Sequence, residues 1–121
     1  MVDKSETGHL YELENLEGGE PQEIQFIEKR LVSVPIFAND EKTIIAGYTK
    51  TKQFITINDG TTNEEVLKML IDRTKKLNEK LPSRENSIAI IKLEEALMWF
   101  EKRTANRLAQ NVENTPLPHK S

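Results

Sequence analysis

The sequence has no cysteine. A disulfide framework and thiolate metal sites are therefore excluded, and a cytosolic setting is the default expectation. Long apolar runs are also missing: none approaches the roughly 20 residues that span a bilayer. The first residues, Met1 to Glu14, lack the apolar core of a secretory signal, so no membrane partner is expected. No basic stripe of the kind that long nucleic acids require is visible. A small anionic ligand needs only two or three placed cations, and it stays open. Histidine is rare, and His9 and His119 lie near opposite ends without a Ser or Cys partner or metal-ligand spacing. Both read as solvated side chains. Glycine is scarce too, and Gly18-Gly19 follows no strand–turn–helix pattern, so there is no phosphate loop.

What is present is polar and charged. Of 121 residues, 36% are hydrophobic and 31% charged, with a formal net charge of −3. Such a chain reads as one domain over residues 1–121 with a modest core. A polar chain this short often completes its core by oligomerising. The negative charge is concentrated at the start: residues 1–30 hold 8 acidic and 3 basic side chains.

The expected fold class is α+β, a small N-terminal antiparallel β-sheet followed by an antiparallel helical hairpin. Residues 8–58 form the sheet part, 62–112 the hairpin and 113–121 a loose tail. His9 to Glu14 alternates weakly and suggests a short edge strand. Residues 22–57 are rich in β-branched and aromatic side chains and suggest a meander of three or four strands. Pro35 marks an edge or a bulge. Ala38 to Lys42 reads as a turn, Thr43 to Thr49 as a strand, and Lys52 to Ile57 as the next. Asn58-Asp59-Gly60 has turn chemistry.

The apolar period then changes from two to 3.6. Thr62-Asn63-Glu64-Glu65 fits a capping box. Val66, Leu67, Leu70, Ile71, Thr74 and Leu77 form an apolar stripe on a helix that runs to about Lys80. Leu81-Pro82-Ser83 stops it and starts a second helix, Ser83 to Leu108, with Ser83 as N-cap. So short a break implies an antiparallel return. The second helix carries two stripes. Ile90, Leu93, Leu97, Phe100, Thr104 and Leu108 can pack on the first helix. Ile91, Met98, Ala105 and Val112 have no obvious partner in so small a chain and suggest a subunit contact.

Enzyme signatures are weak. Glu94 and Glu95 are adjacent on a helix and point about 100° apart, so they do not converge on one substrate atom. Anion binding has more support. The second helix begins with Ser83, Arg84, Asn86 and Ser87, donors grouped where the helix dipole favours negative charge. An ordinary capped helix explains the same residues. Trp99 lies beside Lys102, Arg103 and Arg107, and Arg103 shares its face. An aromatic plate with a guanidinium suits a nucleobase, while half-buried packing would also account for Trp99.

The segment Ser83-Arg84-Glu85-Asn86-Ser87-Ile88-Ala89, followed by Lys92-Leu93-Glu94-Glu95-Ala96-Leu97-Met98-Trp99, resembles a phage-encoded helical-hairpin family. That family includes the anti-CBASS cyclic-nucleotide sponge and the Thoeris anti-defence sponge of type one. A small sheet ahead of the hairpin looks like the Thoeris type. The resemblance implies a non-enzymatic protein, without cofactor or metal, that acts in the cytoplasm of the infected bacterial host. Its implied ligands are cyclic ADP-ribose isomers, the glycocyclic ADP-ribose signals. Cyclic di- and trinucleotides of CBASS are the alternative within the wider family, and a non-nucleotide protein-interaction module is the alternative outside it. The implied assembly is a homodimer or homohexamer with pockets between subunits. On this reading Arg84, Asn86 and Ser87 would take phosphate or ribose, and Trp99 with Arg103 base or phosphate. Arg107 and Lys50 would serve a site shared with a second subunit.

Overall fold

The fold is given by a computed structural model, which describes residues 1–35 and 50–113. The chain divides at Thr61 into two compact units, Met1–Thr61 and Thr62–Ser121. The α+β class expected from the sequence is the one observed: antiparallel strands first, then two helices.

In the first unit, β1 (Val2–Asp3), β2 (Leu10–Leu13) and β3 (Gln22–Gln25) form a three-stranded antiparallel sheet in chain order. The segment expected at an edge is thus the central strand. Its second neighbour is supplied by Val2 and Asp3, which pair with Glu12 and Tyr11. A polar turn makes this return possible. The Asp3 carboxylate accepts from the Ser5 hydroxyl at 2.7 Å and the Gly8 amide at 2.8 Å. Ser5 Oγ in turn accepts from the amides of His9 and Leu10, at 3.0 and 3.2 Å. Gly8 turns with φ +83°, a conformation that glycine adopts without strain. The register sets Glu12 directly opposite Glu23, a like-charge pair that would weaken the sheet. Lys4 Nζ offsets it, 3.7 Å from Glu12 and 2.6 Å from Glu23.

The single sheet expected from the sequence is in fact two. β3 ends at Gln25, and Phe26 forms a parallel bridge with Thr61 instead of continuing the strand. Thr61 donates to the Gln25 carbonyl and accepts from the Ile27 amide, both at 2.9 Å. Gly60 permits that approach, because a Cβ there would sit 2.6 Å from the Phe26 carbonyl carbon. A bulge between Glu28 and Lys29 then opens a separate ribbon, β4 (Glu28–Pro35) paired antiparallel with β5 (Lys50–Asn58). Both strands of a two-stranded ribbon are edges, which accommodates Pro35. The turn expected at Ala38 to Lys42 and the strand at Thr43 to Thr49 lie outside the described residues, as does the tail from residue 114.

The second unit is a helical hairpin of α1 (Asn63–Lys80) and α2 (Arg84–Glu113). Both predicted caps form: Thr62 Oγ1 accepts from the Glu65 amide at 3.2 Å, and Ser83 Oγ from the Asn86 amide at 3.0 Å. Asn78 fastens the junction, accepting from the Ser83 amide at 2.9 Å and donating to Ser87 Oγ at 3.2 Å. Val66, Leu67, Ile71 and Thr74 are among the better-buried positions of α1, and Ile90, Leu93, Leu97 and Phe100 among those of α2. These are the facing stripes. Ile71, 8% exposed, is the only buried hydrophobic among the described residues. Leu70 and Leu77 were expected in the stripe but are exposed, being one position off the line that meets α2.

The helices differ in length, 18 residues against 30. Paired from the junction, α1 reaches only about Glu101, and α2 overhangs by roughly 18 Å at 1.5 Å per residue. This explains why Thr104 and Leu108, expected to be packed, are exposed.

Candidate functional site

The predicted ligand-binding residues fall at three places. Arg84, Asn86 and Ser87 are at the hairpin junction. Arg84 is exposed in the first turn of α2, and Asn86 is half-buried with its amide held by the Ser83 cap. The Ser87 hydroxyl accepts from Asn78 and donates to the Ser83 carbonyl at 3.2 Å. The junction's hydroxyls are therefore engaged in closing the turn, leaving Arg84 as its outward-facing cation. Lys50 opens β5 opposite Pro35, in the other unit.

Trp99, Arg103 and Arg107 come together on one face of α2. With Lys102, Asn106 and Gln110 they line a shallow, open depression. The spacing accounts for it: positions 99, 102, 103, 106, 107 and 110 recur every three or four residues and stay on one side of a helix. Trp99 is 57% exposed, so the half-buried packing reading is not what is observed. Lys102 Nζ lies 5.1 Å from the centroid of the Trp99 ring, within cation–π range and worth about 0.5–1 kcal/mol when exposed. Sequence reasoning had paired Trp99 with Arg103. The contact that forms is with Lys102 at i+3, a spacing equally legible. Asn106 and Gln110 were not singled out, although the same periodicity reaches them.

Chemically this face is uniform. Three cations and two carboxamides surround an indole, and no carboxylate lines the depression. An anion meets three cations and two carboxamides able to donate here, with no carboxylate among the lining residues to oppose it, and a planar base meets an aromatic surface. A second depression, between the helices, is mixed by contrast. It is lined by Lys68, Asp72, Lys75 and Glu94 around Ile71 and Leu97, and Lys75 and Glu94 are 3.8 Å apart. Its two signs of charge are mixed, and Asp72 is paired with Lys76 just outside it at 2.9 Å. Among the described residues no group of His, Asp or Glu could hold a metal ion.

The junction and the Trp99 face are not one site within a chain. Arg84 and Arg103 are about 28 Å apart along α2, at 1.5 Å per residue. No single small ligand touches both.

A sequence profile described as the Acb2/Tad1 hairpin domain matches residues 43–105, more than half of the chain. The match takes in β5, α1 and α2 as far as Ala105, and so includes Trp99, Lys102 and Arg103. The chain is also 48% identical over 58 residues to "Thoeris anti-defense 1" of Bacillus phage SBSphiJ7. That alignment spans 47% of this chain and 41% of the relative. With a hairpin of two capped helices and the profile match running across it, the chain belongs to the Acb2/Tad1 hairpin-domain family.

Proposed function

We propose that this protein is a phage anti-defence sponge. It binds a cyclic ADP-ribose-type immune signal, of the glycocyclic ADP-ribose class, and holds it uncleaved so that the Thoeris effector is not activated. It works in the cytoplasm of the infected bacterium as a homo-oligomer, a dimer or a hexamer. The observation that carries this reading is the cationic face around Trp99, lined by Lys102, Arg103 and Arg107 with Asn106 and Gln110. Its chemistry matches such a ligand, a purine joined to two riboses through two phosphates. Trp99 stacks the base, Arg103 and Arg107 neutralise phosphate, and Asn106 and Gln110 donate to ribose or phosphate oxygens. The relative's name supplies the biological setting. Sequestration asks no more of the site than affinity: the free signal falls when protein exceeds both the signal and the dissociation constant.

The test is to incubate the purified chain with the signal, remove protein by filtration, and then heat the retained fraction. The expected result is depletion of the filtrate and release of intact nucleotide. Recovery of a cleaved product would make the protein an enzyme. Capture of cyclic di- or trinucleotides in its place would assign it to CBASS signals. No shift with any cyclic nucleotide would favour a protein-interaction module. Trp99→Ala combined with Arg103→Ala is expected to weaken capture at least about tenfold, since a charge-assisted contact is worth about 1.5–3 kcal/mol.

A further inference from the structure

Lys102 is the cation of the Trp99 face that the proposed function leaves without a task, and it stands where the base is to stack. Side chains of a helix lean toward its N-terminus. Lys102, one turn after Trp99, leans back over the indole and sets its ammonium 5.1 Å from the ring centroid. The depression continues from the indole along Lys102, Arg103, Asn106, Arg107 and Gln110, all C-terminal to Trp99. The ring face turned to the depression is thus the one that the ammonium covers. Among the described residues no carboxylate pairs with Lys102, and none lines the depression. Trp99 is 57% exposed and Lys102 is exposed as well, so the ammonium can swing off the ring without unpacking anything.

We infer that Lys102 is the residue that selects nucleotides over nucleosides at this face. A base and an ammonium cannot lie on the same ring face, so stacking displaces the lysine and forfeits its cation–π contact. A nucleoside supplies no new partner for the displaced charge. A nucleotide supplies a phosphate, which the ammonium reaches on its flexible stem, beside Arg103 and Arg107. One weak exposed contact is then exchanged for a stronger charge-assisted bond. Lys102 therefore opposes a bare base and favours a base that carries phosphate. Arg103 and Arg107 attract phosphate with or without a stacked base, so the coupling of the two falls to Lys102.

This inference rests on the reading of the Trp99 face as a nucleotide site, and its test is separate from capture of the signal. Trp99 is the chain's only tryptophan, so tryptophan emission reports this ring alone. Adenosine and ADP are titrated against the full-length wild type and against Lys102→Met, which keeps an apolar stem and removes the charge. Helical circular dichroism checks folding, since the side chain is exposed. Adenosine is expected to bind Lys102→Met about two- to fivefold more tightly than wild type, the size of the lost cation–π contact. The preference for ADP over adenosine is expected to fall at least about tenfold, the size of the lost lysine–phosphate contact. Lys102→Arg is expected to keep the preference, since a guanidinium also covers an indole and also binds phosphate. A merely structural lysine would move both ligands the same way. Adenosine binding that is unchanged or weaker in Lys102→Met would overturn the inference, and so would an undiminished preference for ADP. A wild type whose Trp99 emission ignores ADP would overturn it too, and capture of the signal by that protein would leave the sponge reading standing at another face.

Discussion

The two units of the chain are held by different forces. In the hairpin, the sequence writes an apolar period of 3.6 twice, and the helices meet along it around Ile71. In the strand unit, the side chains of β2 are only half-buried, and Leu31, Phe54 and Ile55 of the ribbon are exposed. Order there comes from directional bonds: Asp3 and Ser5 binding the first turn, Lys4 bridging two glutamates, and Thr61 bridging Gln25 and Ile27. Apolar burial tolerates small displacements, while hydrogen bonds of this kind depend on particular atoms. The two units should therefore fail differently when perturbed.

The largest effect is expected at Ile71. Replacing it by alanine removes the best-buried side chain of the hairpin and leaves a gap between α1 and α2. The expected cost is about 2–4 kcal/mol, toward the middle of the range for such truncations, out of a total typically near 5–15 kcal/mol. Urea titration followed by helical circular dichroism measures it. Hydrogen exchange sharpens the comparison: amides of α1 and α2 should lose protection more than those of β2 and β3. Equal loss in both units would show that their stabilities are not separate.

Gly60→Ala probes the other unit. The added methyl would press on the backbone carbonyl carbons of Phe26 and Gln25, at 2.6 and 2.8 Å, and backbone cannot step aside as a side-chain tip can. The expected cost is about 1–3 kcal/mol, as for overpacking elsewhere. The first amides to exchange faster should be Thr61 and Ile27, whose bonds make the bridge. Hairpin amides losing protection ahead of them would contradict the division.

This division also sets how much was legible in advance. Both helices, both caps and the stripe meeting α1 follow from residue types at fixed spacing, and so does the spare stripe with Ile91 and Met98. The strand unit resisted. That Leu10 to Leu13 is central depends on Asp3 and Ser5 folding the first residues back, and those bonds have no periodic signature. The split into two sheets depends on Gly60 lying against Phe26, a contact between residues far apart in sequence. In the candidate site, Trp99 with Arg103 was legible because the two share one helical face, whereas Arg107, read from the sequence toward a second subunit, lines the same depression. Their separation from Arg84 was hidden by the sequence motif, which spans a helix too long for both ends to meet one ligand.

The smallest effect is expected at Asp3, and it separates the units by acid. The Ser5 hydroxyl first, then the amides of Gly8 and Ser5, hold the Asp3 carboxyl below its ordinary value of 3.8. A carboxylate whose pKa is lowered on folding contributes its stability above the unfolded value and loses it as pH falls through the folded one. The turn from Lys4 to His9 should therefore hold at neutral pH and loosen only below about pH 4, near the ordinary carboxylate value. Lys4 and Lys76 have the opposite sign. Glu23 and Asp72 respectively raise them above 10.5, so their contributions are present below that value and are lost as pH rises through the raised one. Because Lys4 is in the strand unit and Lys76 in the hairpin, alkali should affect both, and acid loosening of the first turn should trace to Asp3. The Gly8 amide resonance, followed from pH 6 downward, should move with that titration, and Asp3→Asn should abolish the movement while leaving the hairpin resonances in place. A Gly8 resonance that titrates unchanged in Asp3→Asn would assign the acid sensitivity to another carboxylate and remove Asp3 from the account of how the first sheet closes.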